Sequence, residues 1–417
     1  MKFFFIFLLT IFFILLSCSE QKLKLPIAKP EDVGLSSERL NRFTAAMQRY
    51  IDENKYAGFI SMIARHGKVV YFEKLGKMNE ERPMEFNAIF SIQSMTKPVT
   101  SVAVMMLYEE GKLQLDDPVE KFIPEFKDLK VFKYKDKDGF HVEDQKRLMT
   151  IRDLLRHTSG LTYGMYNLST TPVDTLYNSV NLYSGTTKDL ILKLAKIPLA
   201  YQPGTKWNYS ISTDVLGYLV EVISSKPLDE FFNERIFKPL GMEDTGFTVP
   251  KDKVDRIASL YGPSENGGCK VILKPDTSWM SRPATFLGGG GRLFSTATDY
   301  MIFAQMLLNM GEYNGVRLLS TKTVELMTKN HVPEDLLPAA ENNYKGLGFG
   351  LGFAVFMNQT EIYGTEGTFI WSGAYNTRFF IDKKEDLIWI LMTQFSPNRY
   401  YPIHREFPVL VYQSIID

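Results

Sequence analysis

With 417 residues, 45% of them hydrophobic and 23% charged, the chain has ordinary globular composition, which excludes a disordered or low-complexity protein. Its 48 Lys and Arg balance 48 Asp and Glu and are dispersed along the chain, so nothing points to a nucleic-acid partner. Five histidines, two cysteines and no His-Glu-x-x-His pattern give a metal centre no support, and no cofactor is expected.

The chain opens as a targeting segment. Lys2 supplies the charged start, and residues 3–16 are apolar apart from Thr10, too short for a comfortable permanent span. Leu15-Leu16-Ser17-Cys18 resembles the lipobox of bacterial lipoproteins, which implies a signal peptide over residues 1–17 and a lipid on Cys18. Ser19 in the next position resembles the sorting pattern for the outer membrane, which implies a lipid-anchored protein of the bacterial cell envelope, on the outer membrane and facing the periplasm. With Cys18 lipidated, Cys269 has no intramolecular partner, and the core must hold the fold without disulfides. Residues 18–30 read as a tether.

Ser36 caps a helix whose apolar stripe is Leu40, Phe43, Met47, Tyr50 and Ile51, and two alternating strands, 58–65 and 68–74, follow around a His66-Gly67 turn. Residues 90–111 predict a helix stopped by Gly111, with Pro98 tolerated in its first turn. The charged run 127–146 reads as a solvated excursion. Thr150 and Asp153 cap another helix ending at Gly160, where His157 reads as a dipole partner rather than a base. Residues 165–185 lack periodicity and read as a long loop of the kind that covers or lines a pocket.

Tyr209 falls at a loop-to-helix junction ahead of the apolar stretch 215–223. The glycine run 288–291 does not fit a phosphate loop, since no Lys-Ser/Thr follows it; it fits a close backbone approach, and Thr296 with Asp299 caps the next helix. Strands are predicted over 348–357, 368–381 and 387–393, and a last helix over 403–416.

Ser94 and Lys97, one helical turn apart, read either as an N-cap with a solvated first-turn lysine or as a reactive pair. A serine at a helix mouth has free N–H groups and the positive dipole end beside its oxygen, and a lysine one turn on, made neutral by desolvation, can take the hydroxyl proton without a histidine. Tyr209 reads either as an amphipathic core residue with its hydroxyl at the surface or, if the fold sets it beside a lysine ammonium, as a phenol stabilised as phenolate that passes a proton. No Gly-x-Ser-x-Gly is present, which argues against a conventional Ser-His-Asp hydrolase.

Five ordered segments carry a resemblance: Phe90-Ser-Ile-Gln-Ser-Met-Thr-Lys, Thr150-Ile-Arg-Asp-Leu-Leu-Arg-His-Thr-Ser-Gly-Leu, Tyr209-Ser, Pro239-Leu-Gly-Met and Gly289-Gly-Gly-Arg-Leu-Phe-Ser-Thr-Ala-Thr-Asp. Together they resemble the serine β-lactamase-like superfamily, in the branch of class C β-lactamases, D-alanyl-D-alanine peptidases and β-lactamase-like carboxylesterases. The resemblance implies an α/β (α+β) fold over residues 31–417. Its antiparallel sheet, flanked by terminal helices, comes from about 31–90 and 288–417, and a mainly helical part, about 91–287, is inserted between them. It also implies Ser94 as the acylated nucleophile, Lys97 as its proton acceptor and Tyr209 as the second acid/base. The third family motif falls on Trp371-Ser372-Gly373, with the N–H groups of Ala374 and Ser94 as the oxyanion hole and Arg378 as a candidate for a substrate carboxylate. Two departures bear on the substrate. Ile211 stands where β-lactamases and peptidases commonly carry Asn, and Trp371 replaces a Lys or His. Both make the site less polar, which favours a carboxylesterase acting on small neutral esters. The alternatives are an amide substrate (a β-lactam or a D-amino-acid peptide) and a catalytically silent binding lipoprotein.

Overall fold

Local capping and burial pattern define the elements that carry the site in this computed structural model, which describes residues 25–164, 171–276, 280–336, 346–358 and 362–417. Helix α1 (Ser37–Asp52) starts where Ser36 accepts the Arg39 N–H, and buries Leu40, Phe43, Met47 and Tyr50 as its stripe predicts. The hairpin of β1 (Gly58–Arg65) and β2 (Lys68–Gly76) turns through the left-handed pair His66 and Gly67. The site helices are α2 (Thr96–Glu109) and α3 (Ser212–Ser224); α4 (Ala297–Leu308) begins where the Thr296 side chain accepts the Asp299 N–H.

The C-terminal strands are shorter and more numerous than the sequence suggests. Residues 348–357 resolve into β3 (Leu347–Phe349) and β4 (Ala354–Phe356), and 368–381 into β5 (Phe369–Ser372) and β6 (Arg378–Asp382), followed by β7 (Leu387–Met392). Apolar runs hid the turns, because both faces of this sheet are covered and residues 350–353, between β3 and β4, are buried as well. The last helix, α5, is Ile403–Tyr412 and accommodates Pro408.

These strands form one antiparallel sheet in the order β3-β4-β5-β6-β7-β1-β2. The two chain ends meet inside it, one strand from the β2 edge, where Ile63 pairs with Trp389 and Ile60 with Met392. Alternation then sorts the layers. Trp389 and Phe380 are cross-strand neighbours on one face, where Phe43 of α1 packs edge-on against Trp389 at 6.0 Å and against Phe407 of α5 at 5.2 Å. Phe379 looks to the other face and meets Tyr300 of α4 at 5.4 Å.

Two further expectations change. The run 127–146 contains a two-stranded hairpin, Val131–Asp136 with Gly139–Glu143, whose charged side chains are mostly exposed; charge density masked the strand alternation. The stretch 165–185 contains the helix Pro172–Ser179, set by a Thr171/Asp174 capping box too short to show a period, while residues 165–170 lie outside the described residues. The signal segment, Cys18 and the first part of the tether also lie outside them. Among the described residues no helix is long and apolar enough to cross a membrane.

Phe43 is fully buried and joins both terminal helices to the sheet. Phe43→Ala should therefore cost about 3–5 kcal/mol, and Phe43→Leu clearly less; urea unfolding followed by far-UV circular dichroism reads both, and equal small losses would contradict this packing.

Candidate active site

Ser94 occupies a single 3-10 turn, Gln93–Met95, that runs directly into α2. The turn is held from three sides. Ile92 N–H donates to the Leu293 carbonyl (3.0 Å), Tyr300 OH donates to the Met95 carbonyl (3.0 Å), and Gln93 adopts a left-handed φ of 47°. One helical turn on, Lys97 is 2% exposed, and its Nζ donates to Ser94 Oγ (3.2 Å) and to the Gly290 carbonyl (2.5 Å). Tyr209, at the entrance to α3, donates its hydroxyl to the same Ser94 Oγ at 2.8 Å. Three groups far apart in sequence thus converge on one oxygen.

Their charge states follow from burial. Desolvation brings the Lys97 ammonium down to about 7, against a smaller opposing pull from the Asp214 carboxylate. The aromatic faces of Tyr209 and Tyr163 lie 4.8 and 5.4 Å from Nζ. Burial pushes the Tyr209 phenol above its usual range, the hydrogen bond to Ser94 offsetting only part of this. The phenolate anticipated for Tyr209 is therefore not its resting form: Tyr209 stays a donor, and the lysine is the group poised near neutrality.

Asp214 is a site residue that the sequence reading missed. It is buried on the first turn of α3 and accepts the Gly290 N–H at 3.0 Å. Burial raises its carboxyl, countered chiefly by Lys97. The glycine run exists to wrap it. A Cβ on Gly290 would lie 2.3 Å from Asp214 Oδ2, and one on Gly289 would lie 2.7 Å from the Thr213 carbonyl. The run reaches Ser94 because Phe294 and Ser295 pair with Ser91 and Phe90, a two-residue ladder too short to be read from sequence. The available signal was a carboxylate five residues after Tyr209 together with an unexplained glycine run.

On the opposite side, β5 ends at Ser372, and Gly373 lies so close to Ile92 that a Cβ would stand 2.4 Å from its carbonyl oxygen. Ala374 follows in an exposed turn, with no acceptor for its N–H among the described residues. The Ser94 N–H belongs to a first helical turn and has no helical acceptor either. Trp371 packs against Tyr209 at 5.3 Å and Phe349 at 5.3 Å, and its buried indole N–H has no well-aligned acceptor among the described residues. Ile211 is fully buried and brings no polar group.

Arg378 corrects an expectation. It sits opposite Ser372 in the ladder, but its guanidinium lies over the Phe380 ring and donates to the His404 carbonyl at 2.9 Å, so it fastens β6 to α5 instead of meeting a substrate. His157 differs as well. It is buried, held well below the usual imidazole range by desolvation, and accepts the Ser210 N–H on Nδ1 (3.3 Å) with its ring 4.8 Å from that of Tyr209. An uncharged, buried imidazole is no partner for a helix dipole; it props the Tyr209 junction. Among the described residues no group of His, Cys, Asp and Glu could hold a metal.

Comparison with known proteins identifies the family and the fold. Residues 43–412 match the family model described as Beta-lactamase. Esterase EstB of Burkholderia gladioli is 28% identical over 385 residues, covering 84% of this chain and 89% of that one. A putative D-alanyl-D-alanine carboxypeptidase of Salmonella enteritidis is 30% identical over 361 residues, covering 79% and 76%. Among solved structures, EstCE1, described as a hydrolase with promiscuous acyltransferase activity, superposes with a TM-score of 0.75 at 27% identity, over 91% of this chain and 99% of that one. With its main antiparallel sheet and its match over most of its length, this chain belongs to the beta-lactamase family of serine hydrolases.

Proposed function

We propose that the chain is a carboxylesterase that cleaves small esters through an acyl-enzyme on Ser94. The observation that carries the reading is the convergence of Lys97 Nζ and Tyr209 OH on Ser94 Oγ, with the lysine near neutrality. Neutral Lys97 accepts the Ser94 proton as Oγ attacks the ester carbonyl. The tetrahedral oxyanion lies against the N–H groups of Ser94 and Ala374, where fixed donors strengthen as charge develops. The carbon–oxygen bond to the alcohol then breaks, Tyr209 gives the departing alkoxide its proton, and Lys97 reprotonates Tyr209. Water repeats the sequence in reverse, releasing the acid and restoring the serine.

Two features support an ester over a charged amide. The wall across from the glycine run is aromatic, built from Trp371, Tyr209, Trp207 and Phe349, and Ile211 supplies no amide. Such a wall holds neutral groups and leaves a polar amide unpaired. The esterase name of EstB points the same way, and the Salmonella relative keeps the peptidase alternative in view. We place the reaction at the bacterial cell envelope, on the strength of the lipobox-like Leu15-Leu16-Ser17-Cys18.

A panel of p-nitrophenyl butyrate, nitrocefin and D-alanine-ending muropeptide, applied to protein lacking residues 1–18, should show the ester as the favoured substrate by kcat/KM. Ser94→Ala should lose roughly a thousandfold or more of that activity and all fluorophosphonate labelling. Faster turnover of nitrocefin or peptide assigns the amide reading, and absence of labelling in the wild type assigns a binding role.

The pH dependence has a definite sign. Lys97 must be neutral, so kcat/KM should fall as pH drops through about 7. Asp214 stabilises the charged amine; Asp214→Asn should therefore move this acid limb to lower pH, and a limb that stays put or moves upward would remove Lys97 as the base.

In the full chain, Cys18→Ser should abolish incorporation of a labelled palmitate analogue and shift the protein from the membrane to the soluble fraction. Unchanged labelling would refute the anchor.

A further inference from the structure

Arg292 stands between two residues that are tied to the nucleophile's turn. Gly291 lies against the Gln93–Ser94 peptide, a Cβ there being 3.8 Å from Ser94 N, and Leu293 donates its N–H to Thr96 Oγ1 at 3.1 Å. Leu293 is fully buried, so the alternation of the extended chain turns Arg292 outward, and it is exposed. Its stem passes over the glycine run, where a Cβ on Gly288 would lie 2.9 Å from Arg292 Cγ. Its guanidinium rests 5.7 Å from the ring of Tyr183 and 5.5 Å from that of Phe286, two rings that meet edge to face at 5.4 Å. Among the described residues no carboxylate or carbonyl accepts a hydrogen bond from it, while Arg147, Arg156 and Arg256 are each paired with a buried or nearly buried Asp.

We infer that Arg292 is a receptor for a carboxylate carried by the substrate, bound at the rim of the Ser94 site opposite the aromatic wall of Trp371. The inference rests on the esterase reading and refines it: the part of the substrate held against Trp371 is neutral, and an anionic group stands at the other end. The chemistry is that of the guanidinium. It rests beside two aromatic rings on an exposed side chain, and a planar fork of N–H donors accepts a carboxylate through paired hydrogen bonds. An exposed cation with no partner gains little for the fold. The one carboxylate whose field it shares, Asp214, is buried below it and already bonded to Gly290 N–H. Lys97, Tyr163 and Tyr209 lie on the same side of the site, and burial works against an anion on either phenol.

The test compares two matched pairs: methyl hexanoate with monomethyl adipate, which adds the carboxylate on the acyl side, and phenyl butyrate with 4-carboxyphenyl butyrate, which adds it on the alcohol side. Hydrolysis is followed in a pH-stat. In at least one pair Arg292→Gln should lower kcat/KM for the charged ester tenfold or more and change that of the neutral ester less than threefold. Arg292→Lys should recover part of the loss, and raising sodium chloride should weaken only the charged member. A parallel change in all four esters would mean that Arg292 acts only on the field around Asp214 and Lys97, and no change in either ratio would mean that it binds nothing; both overturn the inference and leave the esterase reading standing. Failure of the wild-type protein to cleave any of the four removes that reading, and this one with it.

Discussion

Withdrawal of the Lys97 amine from water is the constraint on which the site depends. An exposed lysine holds its proton near neutrality and has no lone pair to offer a serine. Here the side chain runs along the buried face of α2, is roofed by the Gly290 carbonyl, and faces the rings of Tyr163 and Tyr209. Hydrocarbon and aromatic surface solvate the charged form poorly, so the amine loses its proton readily. The cost of holding such a group is met elsewhere, by a sheet whose central strands are covered on both faces and by terminal helices locked to it through Phe43, Trp389 and Phe407.

That same burial accounts for the glycine run. A lysine enclosed without any counter-charge would sit so low that it bound its proton too weakly to pass it on, and a carboxylate at hydrogen-bond distance would return it to an ordinary ammonium. Asp214 stands between these limits: its carboxylate is bonded to Gly290 N–H, while Lys97 is bonded to the carbonyl of that residue. A peptide segment therefore separates the two charges, and only residues without a Cβ let the chain pass between them. Composition of the run follows from geometry at Asp214 and Thr213, which is why no phosphate-loop pattern fits it.

Helix α1, the β1–β2 hairpin and the Ser94–Lys97 spacing were legible in the sequence because each rests on a local rule: a cap, a period, or one helical turn. Tyr209 was legible as a loop-to-helix residue, but its approach to Ser94 was visible only through resemblance. The role of Asp214 and the commitment of Arg378 to the His404 carbonyl were not legible, since both depend on which strand or helix lies opposite, and a two-residue ladder such as Phe90–Ser91 leaves no periodic trace. The same limit explains the split of 368–381. Buried apolar residues flank the turn at Gly373 on both strands, and only contact with Ile92 reveals why the strand must stop there.

Acid and base roles at one oxygen require two groups whose proton affinities are pushed apart, and the surroundings of Ser94 do this with one physical effect. Desolvation disfavours the charged form of each group, which lowers an amine and raises a phenol. Lys97 is thereby moved toward neutrality as an acceptor, and Tyr209 is moved away from it as a donor. A histidine in the same environment gains nothing: His157, equally buried and 4.8 Å from the Tyr209 ring, is simply neutral, with Nδ1 occupied by the Ser210 N–H. Opening the aromatic enclosure to water would draw the amine and the phenol back toward their ordinary ranges together, so the enclosure is what holds the two proton affinities apart.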